Sequence, residues 1–108
     1  MTQVTNANFD AEVLKSKEPV LVDFYTDTCP PCRMMAPVLA EIETEANGSL
    51  KVVKINAADE FELSSQFRVS GVPAFFAFAN GKCVGQTVGA KSKASMKKWF
   101  EDSVKSAA

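Results

Sequence analysis

The chain has 108 residues, 46% apolar and 23% charged, with a net charge of −1, which suits one soluble domain (residues 1–108) around a single core. A balance so near neutral, with no basic cluster, leaves no electrostatic footprint for nucleic acid or a membrane surface, and no apolar stretch is long enough to span a bilayer. With no histidine and only three cysteines, Cys–His and Ser–His–Asp catalysis are excluded, and a four-ligand structural zinc site lacks its ligands.

The opening "MTQVTNANFD" has neither a basic leader nor an apolar core of the secretory type, so a cytoplasmic protein is expected. After a short apolar-polar start at Gln3–Thr5, "NANFDAEVLKSKE" spaces Phe9, Val13 and Leu14 on one helical face. "PVLVDFYT" is a near-continuous apolar run, as in a strand buried on both faces of a sheet. From Pro31 to Ala46, Met34, Met35, Val38, Leu39 and Ile42 follow the stripe of an amphipathic helix. Asn47-Gly48 should stop that helix and Pro37 should kink it. "SLKVVKINA" reads as a second buried strand, and "DEFELSSQF" as a short helix carrying Leu63 and Phe67. "SGVP" then breaks the chain before a third strand, "AFFAFA". Asn80-Gly81 is a strong hairpin signal that should return "KCVGQTVG" antiparallel beside it. "KSKASMKKWFEDSVKS" closes the chain as a helix, with Met96, Phe100 and Val104 on one face and Ser92 as N-cap.

The order β-α-β-α-β-α-β-β-α implies an α/β fold. Strands alternating with helices suggest parallel pairings, and the last hairpin adds an antiparallel edge. The expected architecture is a central mixed sheet of about five strands, covered on both faces by about four helices.

Chemistry concentrates in "YTDTCPPCRMM". Pro31 follows a buried strand at the position favoured for the first residue of a helix, which puts Cys29 at the helix N-terminus. Unpaired N–H groups and the positive end of the helix dipole stabilise a thiolate there. Cys32, one turn inside, should be the less exposed partner. Lowering a thiol pKa from about 8.5 to about 7 raises the thiolate fraction at neutral pH from about 3% to about 50%. Nucleophilicity falls in parallel and returns a factor of about five, so the net gain in attack is only a few-fold. The larger advantage is proximity, because Cys32 attacks intramolecularly and Pro30-Pro31 pre-orders the ring that closes. Two core cysteines sharing this spacing by accident would be the bland alternative, which the paired prolines at a strand-to-helix turn explain poorly.

"VLVDFYTDTCPPCRMMAPVL", "KVVKINAADE", "FRVSGVPAFFAFANGK" and the glycine of "QTVGA" together resemble the thioredoxin family along essentially the whole chain. The resemblance implies the thioredoxin fold and a protein-disulfide reductase with no bound cofactor beyond a redox-active Cys29–Cys32 disulfide. Cys29 matches the attacking cysteine and Cys32 the resolving one. Asp23 matches a buried aspartate that helps deprotonate the resolving cysteine. Independently, an acid within "VLVDFY" should have a raised pKa. Lys54 matches the lysine near that aspartate, or is a solvated strand residue. Val72-Pro73 corresponds to a cis-proline facing the disulfide. Gly71, Val72, Pro73, Gly89 and Thr28 would line the substrate surface, with the Val72 backbone open to an extended segment. The implied partners are disulfide-containing proteins and a thioredoxin reductase or equivalent donor, and composition favours a monomer.

The usual family motif Trp-Cys-Gly-Pro-Cys here reads Thr28-Cys29-Pro30-Pro31-Cys32. Pro30 removes an N–H from the shell around Cys29, and Thr28 removes an aromatic platform, so redox potential and substrate range are open. Trp99 is left as the only tryptophan. An oxidant or isomerase, and a redox-silent binding module, are the competing readings. Arg33 is either the family's basic residue after the motif or a solvated charge. Cys83 reads as an edge-strand residue, with a regulatory thiol as the alternative.

Overall fold

Alternation along one strand organises the molecule. In β2 (Val20–Tyr25), Val20, Val22 and Phe24 point into one apolar layer while Leu21 points into the other. Asp23 therefore lies on the Leu21 face. The computed structural model describes residues 1–107. It pairs β2 with β3 (Lys51–Asn56) and β4 (Ala74–Ala79), and β1 (Thr2–Gln3) and β5 (Lys82–Val88) form the edges of a five-stranded sheet ordered β1-β3-β2-β4-β5.

A single π-helical turn, Asp10–Leu14, and α2 (Phe61–Gln66) cover one face, and α1 (Pro30–Ala46) and α3 (Lys93–Ser106) cover the other. The first layer is aromatic. The Phe67 ring stands 5.4–6.2 Å from those of Phe9, Phe24, Phe76 and Phe78. Phe9 and Val13 bury as the sequence spacing requires, although the segment closes with a Lys15 N–H to Asp10 carbonyl bond of 2.9 Å rather than an α-helical one. The second layer packs Met35, Leu39 and Ile42 of α1 and Met96 and Phe100 of α3 against Leu21, Val52 and Phe75. Trp99 is half-buried at its margin.

Three expectations need correction. The third full strand, β4, runs antiparallel to β2. A parallel return needs a connection that carries the chain back along the whole strand. The six residues of α2 rise about 9 Å, half the ~20 Å of a six-residue strand, so β4 starts near the end where β3 finishes. Next, α1 begins at Pro30, so both prolines occupy its first turn, where a missing N–H costs nothing. Last, Met34 is 70% exposed, so it belongs to the solvent face and not to the buried stripe.

The punctuation falls where the residues dictate. Asn47 caps α1 in the left-handed region (φ 48°), and Asn80 and Gly81 (φ 53° and 78°) make the turn joining β4 to β5. α1 continues through Pro37, which leaves the Arg33 carbonyl without its helical donor. The Ser92 side chain accepts from the Ser95 N–H at 3.1 Å and caps α3. No described helix is long and apolar enough to cross a membrane.

The two faces of α1 differ in their tolerance of truncation. Leu39→Ala, at a fully buried site, is expected to lower unfolding stability by about 2–5 kcal/mol, and Met34→Ala to change it by no more than about 0.5 kcal/mol. Urea unfolding of the two variants checks this, and equal losses would mean that the helix is rotated from the face assigned here.

Candidate active site

The central strand delivers the chain directly to the cysteines. β2 ends at Tyr25, residues 26–28 turn, and Cys29, in extended conformation (φ −106°, ψ 103°), is the N-cap of α1. Its sulfur accepts from the Cys32 N–H at 3.2 Å, doing what a serine or aspartate oxygen does at other helix starts. Cys29 and Cys32 are joined as a disulfide with Cα atoms 5.2 Å apart. Cys29 is 8% exposed and Cys32 5%, so the inner cysteine is only slightly the more protected. Thr28, Pro30 and Pro31 lie exposed around them.

Asp23 sits on the same face of the sheet as α1 and is 4% exposed. Its Oδ1 has no hydrogen-bond partner. Burial pushes its pKa from 3.8 up to about 7, and the Lys54 ammonium opposes the rise. Lys54 is its register partner on β3, and its Nζ stands 5.8 Å over the Tyr25 ring. Asp23, Lys54, Tyr25, Cys32 and Arg33 line one cavity of about 200 Å³. That volume has room for several waters between the carboxyl group and the inner cysteine. The alternation of β2 thus brings together Cys32, Asp23 and Lys54.

The remaining candidates lie at the neighbouring strand ends. The Val72-Pro73 peptide is cis, and Pro73 is buried. The pairing of Phe24 with Ala74, and of Ala74 with Val88, sets Pro73 and Gly89 at the edge of the sheet from which the cysteine turn departs. Gly89 donates its N–H to the Pro73 carbonyl at 2.9 Å with φ +99°, a conformation that favours glycine. Gly71 is different, since its φ is not positive and a Cβ there would meet nothing within 4 Å. Cys83 is exposed on edge strand β5 and is not part of the cavity. Among the described residues, no group of three or more His, Cys, Asp or Glu side chains could hold a metal ion.

Two residues escaped the sequence reading. Asn56, 6% exposed at the end of β3, donates from Nδ2 to Asp27 Oδ2 at 3.3 Å. Its Oδ1 accepts from the N–H groups of Ala58 and Asp59 at 3.0 and 3.3 Å. An asparagine closing a strand before "AADE" is a turn signal that could have been read. Nothing in sequence linked Asp27 to Asn56, 29 positions away. Arg33, left open by sequence, donates from Nη2 to the Asp27 carbonyl at 2.6 Å.

Residues 1–102 match the family model described as thioredoxin. The chain is 41% identical to thioredoxin 1 of Nostoc sp. over 92% of each chain, and 36% identical to a thioredoxin of Rickettsia bellii over 95% of this chain and 98% of that one. It is also 42% identical, over 94% of its length, to a bifunctional thioredoxin reductase/thioredoxin of Mycobacterium leprae, but spans 22% of that longer protein.

Asp23 makes stability depend on pH in a direction its raised pKa fixes. Below pH 3.8 the group is protonated whether folded or unfolded and costs nothing. As pH rises toward about 7, the unfolded chain loses the proton first, so folding stability falls and then levels off. Asp23→Asn removes this dependence. In denaturant titrations of the oxidised protein, the variant should exceed the wild type at pH 8 by a few kcal/mol, with most of that advantage gone at pH 4. A difference that does not change with pH would show that Asp23 titrates normally.

Proposed function

Because this chain belongs to the thioredoxin family and is a thiol–disulfide oxidoreductase, we propose that it reduces protein disulfides through Cys29 and Cys32, with Asp23 as the proton acceptor. The observation that carries the reading is the cavity shared by Asp23 and Cys32 below a cysteine at a helix N-cap.

In the reduced protein the Cys29 thiolate, held by the Cys32 N–H and the start of α1, attacks one sulfur of a substrate disulfide. A Cys29–substrate bond forms, the substrate S–S bond breaks, and one substrate thiolate leaves. Cys32 then passes its proton to Asp23, through water in the cavity, and attacks the Cys29 sulfur. That closes the Cys29–Cys32 disulfide and expels the second substrate thiolate. Two electrons have moved from the dithiol to the substrate. A carboxyl group with a pKa about 7 is suited to this, being partly ionised at neutral pH and able to return the proton when the disulfide is next reduced. Lys54 keeps that pKa below the level burial alone would impose.

Substrate docks, in this reading, as an extended segment along the Val72 main chain, between Thr28 on one side and Gly71, Pro73 and Gly89 on the other. Apolar side chains stand exposed beside both halves of that surface, Met34 at 70% just after Cys32 and Val88 at 66% next to Gly89. The family works with disulfide-bearing proteins and a thioredoxin reductase, and the fused Mycobacterium leprae relative carries both names in one chain. For this chain, a separate reductase as donor, a cytoplasmic setting and a monomeric state complete the proposal. Pro30 and Pro31 serve it by holding the cysteines at closing distance.

With a disulfide-bearing protein substrate and dithiothreitol as electron source, Cys29→Ser should abolish turnover. Cys32→Ser should stop after the first step and accumulate a Cys29–substrate disulfide on a non-reducing gel. Asp23→Asn should slow release from that adduct at pH 7 by at least about tenfold. A Cys29→Ser protein that retains turnover would refute the assignment of the attacking thiol.

A further inference from the structure

Asp27 takes no part in the exchange steps above, yet bonds from two other elements converge on it. Asn56 reaches its carboxylate from β3 at 3.3 Å, and Arg33 reaches its carbonyl from α1 at 2.6 Å. Neither contact is incidental to its donor. Asn56 is buried, and both ends of its amide are paired, as a buried amide requires. Arg33 spans back over the first turn of α1. None of Thr26, Asp27 and Thr28 is buried, so the turn into Cys29 has no apolar anchor of its own.

That turn matters most after reduction. In the disulfide the two sulfurs tether each other. Once the bond opens, only the backbone of Cys29 keeps its sulfur over the Cys32 N–H, now 3.2 Å away, and that backbone hangs from residues 26–28. A looser turn lets the sulfur swing to water and lose its donor.

We propose that Asp27 is a positioning residue for the Cys29 nucleophile, locking the strand-to-helix turn between Asn56 and Arg33 so that the reduced sulfur stays on the Cys32 N–H. The inference rests on the reading of Cys29 as the attacking thiol. The charged groups on this side of the cysteines are Asp23 on β2, Asp27 in the turn, Arg33 on α1, Lys54 on β3 and the amino terminus of Met1, which pairs with Glu43 at 2.9 Å; all five residues line the same cavity. By charge alone Asp27 disfavours a nearby thiolate, so removing it would favour ionisation of Cys29. Loss of the brace acts in the opposite direction, which makes the two effects separable.

The test compares Asp27→Ala, which loses charge and acceptor, with Asp27→Asn, which loses the charge but keeps an oxygen for Asn56. The rate at which Cys29 of the fully reduced protein reacts with iodoacetamide is followed against pH, with the modified cysteine identified by peptide mass. The midpoint should lie about half a pH unit higher in Asp27→Ala than in Asp27→Asn, so that Cys29 reacts about threefold more slowly at about pH 6, well below both midpoints. A second comparison stands even if Asp27→Ala does not fold. Asn56→Asp sets two carboxylates against each other, and adding Asp27→Asn rebuilds the pair with donor and acceptor exchanged. The exchanged pair should restore the rate to within about twofold of Asp27→Asn. Equal midpoints for Asp27→Ala and Asp27→Asn, or no recovery in the exchanged pair, would overturn the positioning role while leaving the function intact. If Cys32 instead takes the first alkyl group in the wild type, the assignment of the attacking thiol fails and the inference falls with it.

Discussion

Burying a carboxyl group on the central strand leaves the protein with a charge that the interior resists, and the chemistry of the site follows from where that charge is allowed to go. Asp23 has neighbours in the ladder on both sides and apolar layers above and below, so burial dominates its environment. Lys54 offsets part of the cost from the adjacent strand, and the cavity lined by Asp23 and Cys32 has room for water beside the carboxyl group. The result is an acid that can hold or release a proton near neutral pH, lining a cavity that Cys32 also lines. The cost falls on stability, since an apolar or amide side chain at this position would carry no such penalty.

The cysteine pair is placed by a second local constraint. A strand buried on both faces runs out at Tyr25, and a helix with proline at its first two positions starts at Pro30. The residue between turn and helix must cap, and here the cap is a sulfur. The atom that completes the hydrogen bonding of the helix is therefore also the sulfur proposed as nucleophile, and the N–H that satisfies it belongs to Cys32, its disulfide partner. Capping, thiolate stabilisation and proximity are consequences of one geometry.

Much of this was legible in the sequence because periodicity carries it. The order of elements, the two apolar layers and the Asn80-Gly81 hairpin follow from the spacing of Val, Ile, Leu and Phe and from two turn signals. The proximity of Asp23 to Cys32 was implied only by family resemblance, since nothing in local spacing joins a mid-strand acid to the second residue of a helical turn. What escaped has physical causes. The direction of β4 depends on how far the short α2 carries the chain, which no apolar stripe records. Met34 fits a stripe at its inner edge, where a rotation of one residue decides burial. The contact between Asp27 and Asn56 is polar, single and distant in sequence, so neither pattern nor propensity reveals it. Gly71 matches a substrate-surface position by resemblance, but its backbone does not require glycine.

Thr28 and Pro30 stand on either side of Cys29 without disturbing the cap, and the redox potential they leave the cysteine pair sets the direction in which electrons flow. The equilibrium of the Cys29–Cys32 pair against a series of glutathione buffers, read by thiol trapping and mass, addresses it directly. A reduction potential near or below about −270 mV is the predicted result and that of a reductant. A potential above about −200 mV would contradict it and make this chain an oxidant or isomerase built on the same fold.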